Sequence, residues 1–241
     1  MAKEQFFHSE SAAILKTLDE AAHRSGVSRG QVFEDYLHMS LCALSGGQME
    51  EQYMATVKKH SEGKKGKRSC DAIAQAFAML VDAMEKTRQD ILGDLFQGGI
   101  TYGEAGQFLT PEPLCQMMAQ MTLDGVETEG GDKKTIADPC CGSGRMLLAA
   151  ADVQPHWDFV GQDIDLRCVR MTAINAGRYP GPRNPNAAEC RQQREASAPI
   201  RSTGRKPTSS LLLPSRHHQG LYEPSSGRPA PVLETVPPRH K

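Results

Sequence analysis

Thr135-Ile136-Ala137-Asp138-Pro139-Cys140-Cys141-Gly142-Ser143-Gly144 is the stretch on which the fold turns. A short apolar strand leads into an Asp-Pro turn and two closely spaced glycines, and Arg145 to Ala151 follows as a helix. A tight glycine turn between a strand and a helix start is the layout of a Rossmann-like nucleotide site. Gly142 and Gly144 adopt positive φ readily and let backbone approach a ligand, whereas a side chain at either position would occupy that volume. N–H groups at the start of the next helix would add partial positive charge for a carboxylate or phosphate.

Downstream, Phe159-Val160-Gly161-Gln162 reads as a second strand that delivers Asp163, nineteen residues beyond Gly144, and a helix follows over Arg167 to Ala176. A carboxylate at the end of a second strand can accept hydrogen bonds from both ribose hydroxyls of an adenosine cofactor. Leu147 stands where a dinucleotide fingerprint needs glycine or alanine, which disfavours a nicotinamide or flavin. Asp138 would repel a pyrophosphate but attract an ammonium group with a sulfonium nearby, which favours S-adenosylmethionine. Upstream, Gln107-Phe108-Leu109-Thr110-Pro111 enters a helix carrying Leu114, Met117, Met118 and Met121 on one side. Thr110 is placed to cap that helix with Pro111 at its first position, and the methionines read as core.

These segments, with Gly161-Gln162-Asp163-Ile164-Asp165, resemble three ordered motifs of the N6-adenine-specific DNA methyltransferases, nearest to the modification subunit of type I restriction systems. The resemblance covers about Asp90 to Ala176. It implies a Rossmann-like S-adenosylmethionine-dependent fold, DNA as substrate, and a specificity or restriction subunit as partner. It also implies that Thr110 helps hold the cofactor's methionine end, that Asp138 contacts its amino group, and that Pro139 and Cys141 belong to the same binding loop. Gly142 and Gly144 would leave room for the cofactor, Asp163 would take the ribose hydroxyls and Ile164 would pack on the adenine. Each carboxylate has a structural alternative: Asp138 as an Asx turn, Asp163 and Asp165 as helix caps. Cys140 and Cys141 read as small buried thiols, because the nearest histidine, His156, is isolated. His217 and His218 form a pair without further metal ligands.

Adenine amino methylation in this family also uses an Asn or Asp followed by Pro-Pro and an aromatic ring, which accepts from the amine and stacks on the flipped base. The sequence contains no such string, and Asn184-Pro185-Asn186 lacks the second proline and the ring, so no catalytic residue is assigned. The composition changes at Arg178: residues 178–241 hold 11 of the 15 prolines, 11 Lys and Arg against 4 Asp and Glu, and only 8 Leu, Ile, Val or Phe. So little apolar content cannot offset the entropy of ordering, which predicts a disordered tail and an incomplete α/β domain, as a truncated or frameshifted gene would give. Leu211 to Leu213 is a weak third strand.

The first hundred residues read as helices, with stripes at Ile14, Leu15, Leu18 and Ala22, then at Val32 to Leu44 behind a Ser28/Gln31 capping box, then over Met49 to Val57. A fourth helix, opened by Ser69 or Asp71, carries Ile73, Phe77, Leu80, Val81 and Met84. The expected organisation is a helical subdomain over 1–95, a partial methyltransferase domain over 96–177 and a tail over 178–241. Lys58, Lys59, Lys64, Lys65, Lys67 and Arg68 form either a solvated loop or a phosphate-binding one. No run approaches a membrane span, and seven cysteines without a Cys-x-x-Cys pair suit reduced thiols, so a cytoplasmic location is expected. Three functions stay open: an adenine DNA methyltransferase by descent, a non-catalytic S-adenosylmethionine- or DNA-binding remnant, and a methyltransferase acting on RNA or protein.

Overall fold

The computed structural model describes residues 4, 6–101, 107–126 and 134–177, with the backbone of 209–213. The Asn184–Asn186 string, the histidine pair and the rest of the tail lie outside the described residues. The described part is mostly helical with a small sheet, an arrangement compatible with an incomplete α/β fold. Its elements run α1 (Ser9–Ser25), α2 (Arg29–Leu44), α3 (Glu50–Lys59), α4 (Ser69–Thr87), α5 (Ile91–Leu95) with a π-helical turn (Phe96–Thr101), α6 (Glu112–Leu123), β1 (Thr135–Asp138), α7 (Arg145–Val153), β2 (Asp158–Asp163), α8 (Leu166–Ala176) and β3 (Ser209–Leu213).

The helical core forms where the apolar stripes meet. Ile14, Leu15 and Leu18 of α1 pack with Phe33, Tyr36 and Leu37 of α2 and with Ile73 and Leu80 of α4. Cys168, Met171 and Ile174 of α8 join the same cluster, so the helical part and the βαβ part share one core. The Ser28 hydroxyl accepts from the Gln31 N–H at 3.3 Å, the cap expected at the start of α2. α1 has no side-chain cap of its own. Asp94, from α5, serves instead: its buried carboxylate accepts from the Phe7 N–H at 2.9 Å, the His8 N–H at 3.0 Å and the Ser11 hydroxyl at 2.6 Å.

β1 and β2 pair in parallel from Thr135↔Asp158 to Asp138↔Gly161, with α7 as the crossover. β3 lies antiparallel on the other edge of β2, giving the order β1-β2-β3. The weak third strand is therefore present as backbone pairing, and β1 is an edge of this sheet among the described residues.

Three expectations need correction. α4 is capped at Arg68, not at Ser69 or Asp71, because the Asp71 carboxylate reaches back to the Arg68 N–H at 2.9 Å and fixes the boundary one residue earlier. α6 starts at Glu112, with Pro111 rather than Thr110 in the cap position. A proline disfavours helical backbone in the residue before it, and Pro111 itself sits at ψ 137°. The methionines of α6 are not core: Met117 and Met118 are exposed, and Met121 is 77% exposed. Small Cys115 and Ala119 bring α6 close to Ala149 of α7, which turns the larger side chains outward.

Among the described residues no helix is long and apolar enough to cross a membrane. Replacing Asp94 with alanine strips three donors of their acceptor, one of them in a fully buried bond, and should lower unfolding stability by about 2–4 kcal/mol in urea denaturation, at roughly 1 kcal/mol per hydrogen bond. A loss within error would show that the α1 start does not depend on this carboxylate.

Candidate functional site

The glycine loop is built by backbone groups that find partners within it. The Cys141 N–H donates to the Gln162 carbonyl at 2.8 Å and extends the β1–β2 ladder, and the Gly144 N–H donates to the Cys141 carbonyl at 2.7 Å. The Cys140 N–H donates to Asp138 Oδ1 at 3.0 Å, so Asp138 forms the Asx turn that was its structural alternative. The Gly142 N–H donates to Asp163 Oδ2 at 2.9 Å, which ties the loop to the end of β2. Asp163 Oδ1 accepts from the Asp165 N–H at 2.9 Å. Asp165 caps α8 through the Arg167 N–H, also at 2.9 Å. Burial opposes ionisation of Asp165, but the hydrogen bonds and charge of Arg167 hold its carboxyl below the ordinary carboxylate value.

Gly142 (φ 55°) and Gly144 (φ 90°) both adopt the left-handed backbone expected of them. The space their missing side chains leave is filled by protein. A Cβ at Gly142 would stand 2.7 Å from Leu109 Cδ2, and one at Gly144 would stand 3.1 Å from Thr172 Cγ2. In the described structure these glycines therefore admit the Leu109 segment and α8. The upstream segment lies across the loop: Gln107 Nε2 donates to Asp165 Oδ2 at 3.3 Å, and Arg145 Nη1 donates to the Thr110 carbonyl at 3.2 Å. Three motifs spread over 59 residues of sequence thus meet at one place, with Phe108 (72% exposed) and Ile164 (61% exposed) as apolar side chains open to solvent. Thr110 is half-buried, and among the described residues its hydroxyl has no hydrogen-bond partner.

At the start of α7 the Ser143 and Arg145 side chains are buried against Asp90. Asp90 is 1% exposed. Its Oδ2 accepts from Arg145 Nε at 2.7 Å and from the Ser143 hydroxyl, and its Oδ1 accepts from the Gly93 N–H at 2.8 Å and from Asn175 Nδ2 at 2.7 Å. A Cβ on Gly93 would overlap this carboxylate. The negative charge near the helix start is thus the protein's own. Sequence reading misses this network, since Ser143, Arg145 and Asn175 lie 53 to 85 residues from Asp90 and carry no shared pattern.

Cys140 and Cys141 differ, which corrects the expectation of two buried thiols: Cys140 is exposed and Cys141 buried. The backbone reverses at the Asx turn, so one thiol faces water while the other packs beneath Gly161 and accepts from Thr172 Oγ1 at 3.3 Å. Burial pushes the Cys141 thiol up to about 12, and burial likewise raises that of Cys168. Pro139 is exposed beside Cys140. Among the described residues no group of three or more His, Cys, Asp or Glu could hold a metal ion. A cleft of about 620 Å³ lies elsewhere, between α2, α4 and the end of α8, lined by Leu44, Phe77, Val81 and Ile174, and holds none of the site residues.

Because the thiolate is the reactive form, raising a thiol's pKa suppresses reaction until the pH approaches the raised value. Alkylation of the native chain at about pH 8 should therefore label Cys140 and spare Cys141 and Cys168, read by peptide mass spectrometry. Equal labelling of Cys140 and Cys141 would contradict the packing described here.

Comparison with known proteins places this segment. The N-6 DNA Methylase family profile matches residues 87–177, ending where the composition changes. The type II methyltransferase M.MamI of Microbacterium ammoniaphilum is 37% identical over 90 residues, covering 36% of this chain and 21% of that protein. The chain thus spans about a fifth of the length of the curated relative it matches. No solved structure matches. The motifs that meet at the glycine loop all fall inside the matched segment, so the similarity to N-6 DNA methylases is carried by residues 87–177.

Proposed function

We propose that residues 87–177 are the S-adenosylmethionine-binding part of an N6-adenine DNA methyltransferase, built as the first half of a Rossmann-like domain. The observation that carries this reading is the convergence of Gln107–Thr110, the glycine loop and the end of β2 on one surface, with Ile164 and Phe108 open beside it.

The acceptors present suit the cofactor. Each Asp163 oxygen accepts one backbone N–H, and a carboxylate oxygen has a second lone pair, so both remain able to accept a ribose hydroxyl. Asp138 uses Oδ1 for the Asx turn, which leaves Oδ2 for the amino group of the methionine moiety. The Thr110 hydroxyl adds a donor for the methionine carboxylate. Ile164 offers an apolar face to an adenine ring, while Pro139, Cys141, Gly142 and Gly144 set the shape of the loop. The Cys141 side chain acts by packing, since its thiol is buried. When bound, S-adenosylmethionine supplies an activated methyl group on a sulfonium. This chain's residues hold and orient it. Acceptor-side chemistry is assigned to no residue of the 241, because the Asn/Asp-Pro-Pro-aromatic string is absent. DNA is the acceptor favoured by the family, with a specificity or restriction subunit as partner.

Asp163→Asn keeps one acceptor oxygen and turns the other into a donor that faces an N–H, so both the ribose bonds and the loop tie suffer. Calorimetry of the full chain with S-adenosylmethionine should show binding weakened by about 1–3 kcal/mol, the range for hydrogen bonds to a charged group. Unchanged affinity would remove Asp163 from the site.

A further inference from the structure

We propose that the loop between α3 and α4, residues 61–68, grips the phosphate backbone of double-stranded DNA, away from the target base and without reading sequence. This rests on the proposed DNA acceptor. The loop carries Lys64, Lys65 and Lys67, all exposed, with Lys58 exposed at the end of α3 beside it. Its remaining cation, Arg68, is committed to Asp71 at 2.7 Å. Lysine ammoniums on flexible stems act as point charges toward phosphate, and each contact displaces condensed counterions from the duplex. The region up to residue 177 carries 17 Lys and Arg against 25 Asp and Glu, so this concentration of positive charge stands against an acidic background.

The loop is anchored as a presenting loop would be. At its base His60, buried to 2% exposure, bonds Asp35 Oδ2 through Nε2 at 3.0 Å and the Ser69 hydroxyl through Nδ1 at 3.0 Å. The Cys70 N–H closes the base on the His60 carbonyl at 3.0 Å. At the tip, Gly63 (φ 103°) and Gly66 (φ 85°) turn the chain, and the Gly66 N–H is held by Asp71 Oδ2 at 2.8 Å. A fixed base and a turned tip hold the lysines outward and reduce the ordering entropy of binding.

The chemistry selects a duplex over other polyanions. Residues 58–68 contain no Phe, Tyr or Trp, and the one ring among them, His60, is buried, so no ring is open for an unpaired base to stack on, which argues against single strands. They contain no apolar side chain to insert between headgroups, which argues against a lipid surface. Position matters as well. α4 joins this loop to the Asp90 network at the glycine loop, and its 19 residues span about 28 Å at 1.5 Å each. That is about eight base pairs at roughly 3.4 Å per pair, so the lysines would hold the flank of a site.

The test is fluorescence anisotropy of the full chain with a duplex of roughly 30 base pairs and mixed sequence, between about 50 and 200 mM salt. Lys64→Ala/Lys65→Ala/Lys67→Ala should lower the slope of log affinity against log salt by about two to three, at roughly 0.9 per phosphate lost. Replacing the same lysines with arginine should preserve the slope, and Lys16→Ala/Lys86→Ala should leave it near wild type. An unchanged slope in the loop variant would overturn the proposal and assign binding elsewhere, for instance to the basic residues 178–241. An equal fall in the Lys16/Lys86 control would overturn it as diffuse attraction. A wild-type chain that ignores the duplex but binds lipid vesicles or RNA would also overturn it. S-adenosylmethionine binding by the same samples reports separately on the cofactor site, so a failure of the loop and a failure of the methyltransferase reading are distinguishable.

Discussion

One buried carboxylate holds the two parts of this molecule together. Asp90 follows α4, caps α5, and reaches Ser143 and Arg145 at the glycine loop and Asn175 on α8. A charge this deep is tolerable only when it is fully paired, and here it has an arginine and three further donors. The geometry of the loop therefore depends on the helical part, and the shared core through Met171 and Ile174 adds apolar contact to that electrostatic tie. Removing Asp90 would leave the Arg145 guanidinium buried and unpaired beside the turn.

That dependence explains why the loop can keep its shape on so small a sheet. β1 lends only four residues and is largely exposed, so the strand pair alone gives the turn little support. Support comes instead from Leu109 over Gly142, Thr172 against Gly144 and the Asp163 bond to the Gly142 N–H. The left-handed glycines permit these approaches, and the carboxylates at the ends of β1 and β2 fasten the turn while keeping lone pairs for a ligand. One set of side chains thus preorganises the loop, and it is the set that the proposed cofactor site uses.

What the sequence revealed and what it hid divide along range. Helix stripes at Ile14, Leu18, Ile73 and Leu80, the strand, turn and helix around Gly142, and the Ser28 cap are local patterns, and each is found where expected. The Asp90 and Asp94 networks join residues more than 50 apart and leave no periodic trace. The α6 methionines went wrong for a related reason. Helical spacing identifies a common face but not whether a neighbour covers it, and Cys115 with Ala119 proved to be the packed side. The loop glycines were read correctly for backbone freedom but incompletely for space, since the segment that fills it lies 33 residues upstream. The absent Asn/Asp-Pro-Pro-aromatic string is a sequence fact that no geometry replaces.

The central claim is that the surface where these three segments meet takes an adenosine bearing a sulfonium. Titration of the isotope-labelled full chain with S-adenosylmethionine, followed through the Gly142 and Gly144 amides and the Ile164 methyl groups by NMR, addresses it most directly. The account predicts saturable shifts at all three positions with one common dissociation constant. Shifts confined to other regions, or none at saturating ligand, would contradict it.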